Sequence, residues 1–142
     1  MSEQEILESN RLIADFMQVD YSGKEQFMWR PGAYIPFTEK CLRYHSSWNW
    51  LMSVVNKIEN IGSIVEIHGT RNALEKINLH SCRLHYSVFN TVTDKYVADE
   101  TVLFKYNTKF NISKINCVYE AVVEFIKWHN KQNNETNKLY NK

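Results

Sequence analysis

His80, Cys82 and His85 lie close together in the chain, and His68 falls on a neighbouring strand candidate. Imidazole and thiolate are the donors that zinc prefers, so this cluster is the first place to look for metal chemistry. Zinc needs three or four such ligands converging at about 2.0–2.3 Å. On a strand, alternate side chains share a face, so His80 and Cys82 point one way and His85 the other unless a bulge resets the phase. The sequence holds neither an HExxH nor a CxxC pair, and ordinary strand residues account for the cluster. Cys82 beside His80 or His85 has the makings of a thiol–imidazole pair. Cys117 sits early in a helix, where the dipole lowers a thiol pKa. No nucleophile signature surrounds either, and buried inert thiols are the plainer reading. Only 4 glycines are present, with no phosphate-binding glycine loop. The carboxylate pairs Asp99–Glu100 and Glu120–Glu124 read as solvated surface. No catalytic residue, metal or cofactor is expected, and no enzymatic activity.

A second kind of chemistry is recognition. Phe27, Trp29, Arg30, Tyr34 and Phe37 surround a turn at Arg30-Pro31-Gly32-Ala33, and Arg43, Tyr44, His45 and Trp50 follow soon after. An aromatic face stacks on a flat base and a guanidinium pairs with phosphate. The same residue types dominate protein hot spots. These nine residues are the candidate binding site. The plainer alternative is a loop folded over a sheet, its aromatics filling a second small core.

Stepwise along the chain, residues 5–17 show the apolar spacing of a helix, with Ser2 and Glu5 at capping-box distance. Residues 18–43 fit a loose hairpin or an aromatic loop. Pro31 and Gly32 suit a type II turn. Ser46 or Ser47 caps a second helix whose inward stripe is Trp48, Leu51, Met52, Val55 and Ile58, with Trp50, Val54 and Ile61 at its edge. Gly62 stops it. That phase assigns Trp48 to the core and frees Trp50 for another task. Strand candidates follow at 63–69, 76–88 and 101–107, the second with a phase shift near His80 and Ser81 that predicts a bulge. Residues 91–100 read as an exposed hairpin turn. The last helix opens at Ser113 and carries Ile115, Val118, Tyr119, Val122, Phe125, Ile126 and His129 on one face. Residues 131–142 are polar and without periodicity, and a disordered tail is expected there. The pattern predicts one α+β domain over 1–130, a small antiparallel β-sheet of three to five strands flanked by two or three α-helices.

The 142 residues suit a single domain that needs no disulfide to fold. Net charge is +1, from 17 basic and 16 acidic residues, which gives no strong nucleic-acid signal. No run approaches the ~18 apolar residues of a membrane span. The start, MSEQEILESNRL, lacks the basic and apolar regions of a secretory signal. With three widely spaced cysteines, the expected setting is the reducing cytoplasm of a bacterial cell.

Two stretches carry a family resemblance. Tyr44-His45-Ser46-Ser47-Trp48, Trp50-Leu51-Met52, Val54-Val55 and Lys57-Ile58-Glu59 form the first. Ser113-Lys114-Ile115, Val118-Tyr119 and Ala121 to Trp128 form the second. Together with Asn10, Ile13-Ala14 and Phe16-Met17, they resemble small bacterial and phage proteins of the phage ABA-sandwich type. The resemblance implies helices flanking a small antiparallel sheet and a phage or prophage setting. It implies no reaction. The stretch 18–43 is longer and more aromatic than that pattern. The expected function is therefore a non-enzymatic binding module acting on a host protein or complex. The alternative is a protein that binds or sequesters a small nucleotide. A homo-oligomer stays open, and no membrane partner is expected.

Overall fold

The computed structural model describes the backbone of residues 1–61, 63–72, 77–86, 89–90, 95–96, 104–108 and 113–140, and the side chains of 1–61, 106, 108 and 113–134. The described residues form a mixed α+β fold with three α-helices and antiparallel strand pairs.

Helix α1 (Glu3–Met17) begins with the full capping box. The Ser2 hydroxyl accepts from the Glu5 N–H at 3.2 Å, and the Glu5 carboxylate accepts from the Ser2 N–H at 2.8 Å. The helix ends at Gln18, whose left-handed backbone (φ 59°) turns its N–H onto the carbonyls of Ala14 and Asp15. Ser9, Asn10, Ile13 and Ala14 form its buried face.

Strands β1 (Ser22–Arg30) and β2 (Ala33–Thr38) make an antiparallel hairpin, which resolves the choice between hairpin and loop. Proline holds φ near −65°, so Pro31 excludes the primed turns that need a positive φ at that place. Gly32, at φ +79°, supplies the left-handed second residue of a type II turn. Unprimed turns match strand twist poorly. The register slips beside the turn, between Met28 and Arg30, and Trp29 is left without a directly opposite residue.

A single 3₁₀ turn, Glu39–Cys41, leads towards α2 (Trp48–Asn60). Ser47 occupies the N-cap position, but its side chain makes no capping bond. Leu51, Val54, Val55 and Ile58 are buried. Trp48 and Met52, both expected in the core, are each 38% exposed, whereas Val54, expected at the edge, is fully buried. The buried stripe centres between Leu51, Val54, Val55 and Ile58, so Trp48 and Trp50 flank it on opposite sides. The neighbour then decides between them: the hairpin supplies a partner on the Trp50 side.

Strands β3 (Ser63–Asn72) and β4 (Ile77–Tyr86) pair antiparallel through ten consecutive positions, Ser63 opposite Tyr86 to Asn72 opposite Ile77. The register is unbroken, so the bulge expected near His80 and Ser81 is absent. The apolar phase shift in the sequence does not interrupt the backbone ladder. Short strands β5 (Phe89–Asn90) and β6 (Lys95–Tyr96) pair with each other, and β7 (Phe104–Asn107) pairs with β4. Gly62 lies outside the described residues.

Helix α3 (Lys114–Tyr140) is the centre of the packing. It lies against β4 and β7 and also touches α1 and α2. A helix covered from more than one side buries more than one stripe. Val118, Ala121, Val122, Phe125 and Ile126 are fully buried. Cys117 and Val123, away from the expected stripe, are buried as well. Each buried Val, Ile or Phe contributes about 1.5–3 kcal/mol. The helix runs on through Tyr140, across most of the stretch expected to be a disordered tail. That stretch holds neither proline nor glycine, and extending a formed helix is far easier than starting one.

Candidate functional site

The nine candidate residues separate into three groups. Phe27, Phe37, Trp50 and Tyr44 form an aromatic ladder. Phe27 meets Phe37 edge-on with centroids 5.7 Å apart, Phe37 stacks on Trp50 at 6.2 Å and 14°, and Trp50 meets Tyr44 edge-on at 5.1 Å. Such pairs add about 0.5–1.5 kcal/mol beyond the area they bury. Phe37 and Trp50 pack against the main core, and Tyr44 lies within it. Burial raises the pKa of the Tyr44 hydroxyl. The ladder ties the hairpin to α2, and the Trp50 face expected to be free is stacked on Phe37.

The second group is the hairpin tip. Trp29 is 52% exposed and Tyr34 63%. Met28, directly opposite Tyr34, is also exposed. The Arg30 guanidinium lies 4.4 Å from the centroid of the Trp29 ring. Phe27 and Phe37 face inward while Met28 and Tyr34 face outward, as strand alternation requires. Arg43 is exposed farther along, in a turn where its carbonyl accepts N–H bonds from Ser46 and Ser47 at 3.1 and 2.9 Å.

His45, the ninth residue, belongs to a polar network. The Asn10 side chain is buried, and its amide nitrogen donates to the Leu42 carbonyl at 3.3 Å and to His45 Nδ1 at 3.0 Å. Asn10 Oδ1 accepts from the Tyr119 hydroxyl at 2.9 Å. The Leu42 carbonyl takes only a donor, so the amide orientation is fixed. His45 Nδ1 must then accept, and the imidazole is neutral with its proton on Nε2. Desolvation and then the Arg43 charge lower the His45 pKa, in keeping with that state. Burial pushes the Tyr119 hydroxyl up to about 12.

His45 also lines a cleft of about 450 Å³ whose described walls include Ile6, Asn116, Tyr119, Glu120 and Glu124. Asn116, Glu120 and Glu124 stand at i, i+4 spacing along α3, one above another. Glu120 accepts from the Tyr106 hydroxyl at 2.7 Å. Desolvation and that bond raise the Tyr106 pKa. Glu120 and Glu124, read as solvated surface, are partly exposed; they share a cleft wall, and Glu120 is also engaged by Tyr106. Asn10, Tyr119 and Glu120 were missed as site residues. The one signal for them was a polar Asn10 on the apolar face of α1.

Cys41 and Cys117 are buried thiols, not joined in a disulfide. Among the described residues no three histidine, cysteine, aspartate or glutamate side chains gather to hold a metal ion. The side chains of His68, His80, Cys82 and His85 lie outside those described. Among the described residues no helix is long and apolar enough to cross a membrane. No protein-family model matches the chain, and neither a curated protein nor a solved structure matches it.

Proposed function

We propose that the chain is a non-enzymatic binding module of phage or prophage type, which engages a host protein or complex through the tip of the β1–β2 hairpin. The observation that carries this is the exposure of Met28, Trp29 and Tyr34 on one hairpin end, with Arg30 stacked on Trp29. Tryptophan, tyrosine and arginine supply most of the energy at protein interfaces. The inward face of the same hairpin is already held by the Phe27–Phe37–Trp50 ladder, so the tip residues are free of a folding task. The partner surface that fits is an apolar pocket with an acidic rim. The phage ABA-sandwich reading, with a sheet of three to five strands, and a bacterial cytoplasmic setting belong to the same proposal.

Trp29→Ala and Arg30→Ala are expected to abolish partner capture and leave the thermal midpoint nearly unchanged. If both variants unfold, the tip is structural and the proposal fails. Nucleotide binding is the second reading, favoured by the exposed Trp29 ring with a guanidinium over it. It requires quenching of tryptophan fluorescence by a mono-, di- or cyclic nucleotide; silence across that panel rejects it.

A further inference from the structure

The cleft beside His45 is lined by none of the hairpin-tip residues, and it has the attributes of a small-molecule site. Its volume, about 450 Å³, is in the range that small ligands occupy. One wall is apolar, from Ile6. Another is the α3 row of Asn116, Glu120 and Glu124. The third is the His45 ring.

That ring is held in a definite way. Its Nδ1 side is bound by Asn10, which is itself fixed by Leu42 and Tyr119, and it meets the Tyr119 ring in an edge contact with centroids 6.3 Å apart. The tautomer therefore presents an Nε2 proton, and among the described residues nothing accepts it. A fixed donor is thus carried by a ring that lines the same cleft as two carboxylates. Glu120 spends one oxygen on Tyr106 and keeps the other. Among the described residues Glu124 meets Lys127 Nζ at 3.5 Å, at the solvent edge of the cleft. The described lining contains no lysine or arginine, and its one cation is the α-ammonium of Met1, set against two carboxylates.

A ligand complementary to these groups has a cation for the carboxylates, a short apolar stem for Ile6, and an acceptor for His45. The acceptor must be neutral, because an anionic one would face Glu120 and Glu124. We propose that this cleft binds a small organic cation, a primary ammonium or guanidinium, joined by a short aliphatic chain to an amide-type carbonyl. The ammonium sits between Glu120 and Glu124 and the carbonyl accepts from His45 Nε2. Tyr119 and Asn10 are positioning residues that keep the imidazole donor aimed.

Three probes separate the parts of this assignment. N-acetylputrescine carries the ammonium and the carbonyl, putrescine lacks the carbonyl, and N-butylacetamide lacks the charge. Titration of the full chain is followed by calorimetry and by the histidine ring nitrogen resonances. N-acetylputrescine is expected to bind and to shift the His45 Nε2 signal, and N-butylacetamide to give neither. Glu120→Gln with Glu124→Gln is expected to weaken N-acetylputrescine at least about tenfold, a loss of about 1.4 kcal/mol. His45→Phe is expected to weaken N-acetylputrescine and leave putrescine unchanged. Thermal melts of each variant establish that it is folded; for one that is not, the ring-nitrogen shift of the unaltered chain decides. No heat and no His45 shift with N-acetylputrescine up to about 20 mM would overturn the assignment. So would equal binding of N-butylacetamide, or binding indifferent to the two glutamines.

Discussion

A single buried amide organises the polar side of this protein. Asn10 serves the Leu42 carbonyl, His45 Nδ1 and the Tyr119 hydroxyl at once. Asn10→Ala leaves the Leu42 carbonyl and His45 Nδ1 without this donor, while the Tyr119 hydroxyl keeps the Ile6 carbonyl at 3.3 Å; a buried unsatisfied group costs about 1–3 kcal/mol. Urea denaturation of the variant should show a loss of about 2–3 kcal/mol; a change below ~0.5 kcal/mol would mean that water replaces the amide. The same network predicts a pH dependence. His45 and His129 both have pKa values below the ordinary histidine value. Desolvation is the main cause in each, with Arg43 adding to it for His45 and Lys57 for His129. Around His45 stand Arg43, Tyr119 and the cleft carboxylates Glu120 and Glu124. Around His129 stand Phe16, Phe125 and Asn133, and Lys57 makes its contact through the Phe16 ring. At neutral pH both rings are neutral whether the chain is folded or not. As pH falls below about 6.5 the unfolded chain binds protons that the folded chain refuses, so stability declines until the lowered folded values are passed. Thermal midpoints should drop between pH 7.5 and 5, and His45→Gln with His129→Gln should flatten that drop. An unchanged slope in the double variant would assign the decline to carboxylates.

At the scale of elements, the hairpin and α2 depend on each other through four rings. Phe37→Ala cuts the ladder and should cost about 2–3 kcal/mol, while Trp48→Ala, on the uncovered flank, should cost less than about 1 kcal/mol by chemical denaturation. The reverse order would return Trp48 to the core. Local signals were enough where the partner of a residue is its own chain neighbour. The Ser2–Glu5 box and the Pro31-Gly32 turn were legible for that reason. The choice between Trp48 and Trp50 was not, because both flank the buried stripe and a strand elsewhere in sequence decides which is covered. The expected bulge in β4 failed differently: alternation records where apolar side chains fall, and the ladder with β3 keeps its register regardless. Of the nine candidate residues, the aromatic and basic clustering drew attention to the right region without sorting it. Exposure divides it into a tip at Trp29, Arg30 and Tyr34, a ladder at Phe27, Phe37, Tyr44 and Trp50, and a cleft at His45, with Arg43 exposed in the turn before α2. The cleft partners Asn10 and Tyr119 are more than a hundred residues apart, and no local pattern joins them.

Over the whole molecule, α3 is the common wall. It meets α1 and α2 as well as β4 and β7, and its side chains pass from the apolar core to the cleft at Glu120 and Glu124. Folding is thus concentrated on one helix, while the hairpin tip stands outside that core with exposed aromatic surface. A contiguous exposed patch of this sort marks an interaction surface when it is not needed for packing. Under the proposed function, recognition and folding are separated in this way. The most direct test places a photo-crosslinking amino acid at Tyr34, on the tip, and in a second protein at Glu59, an exposed position on α2. Both are produced in bacterial cells and irradiated. A discrete adduct is expected from position 34 only, lost when Trp29→Ala is added although the protein still melts at the same temperature. Identical adduct patterns from the two positions, or an adduct at 34 that survives Trp29→Ala, would contradict that separation.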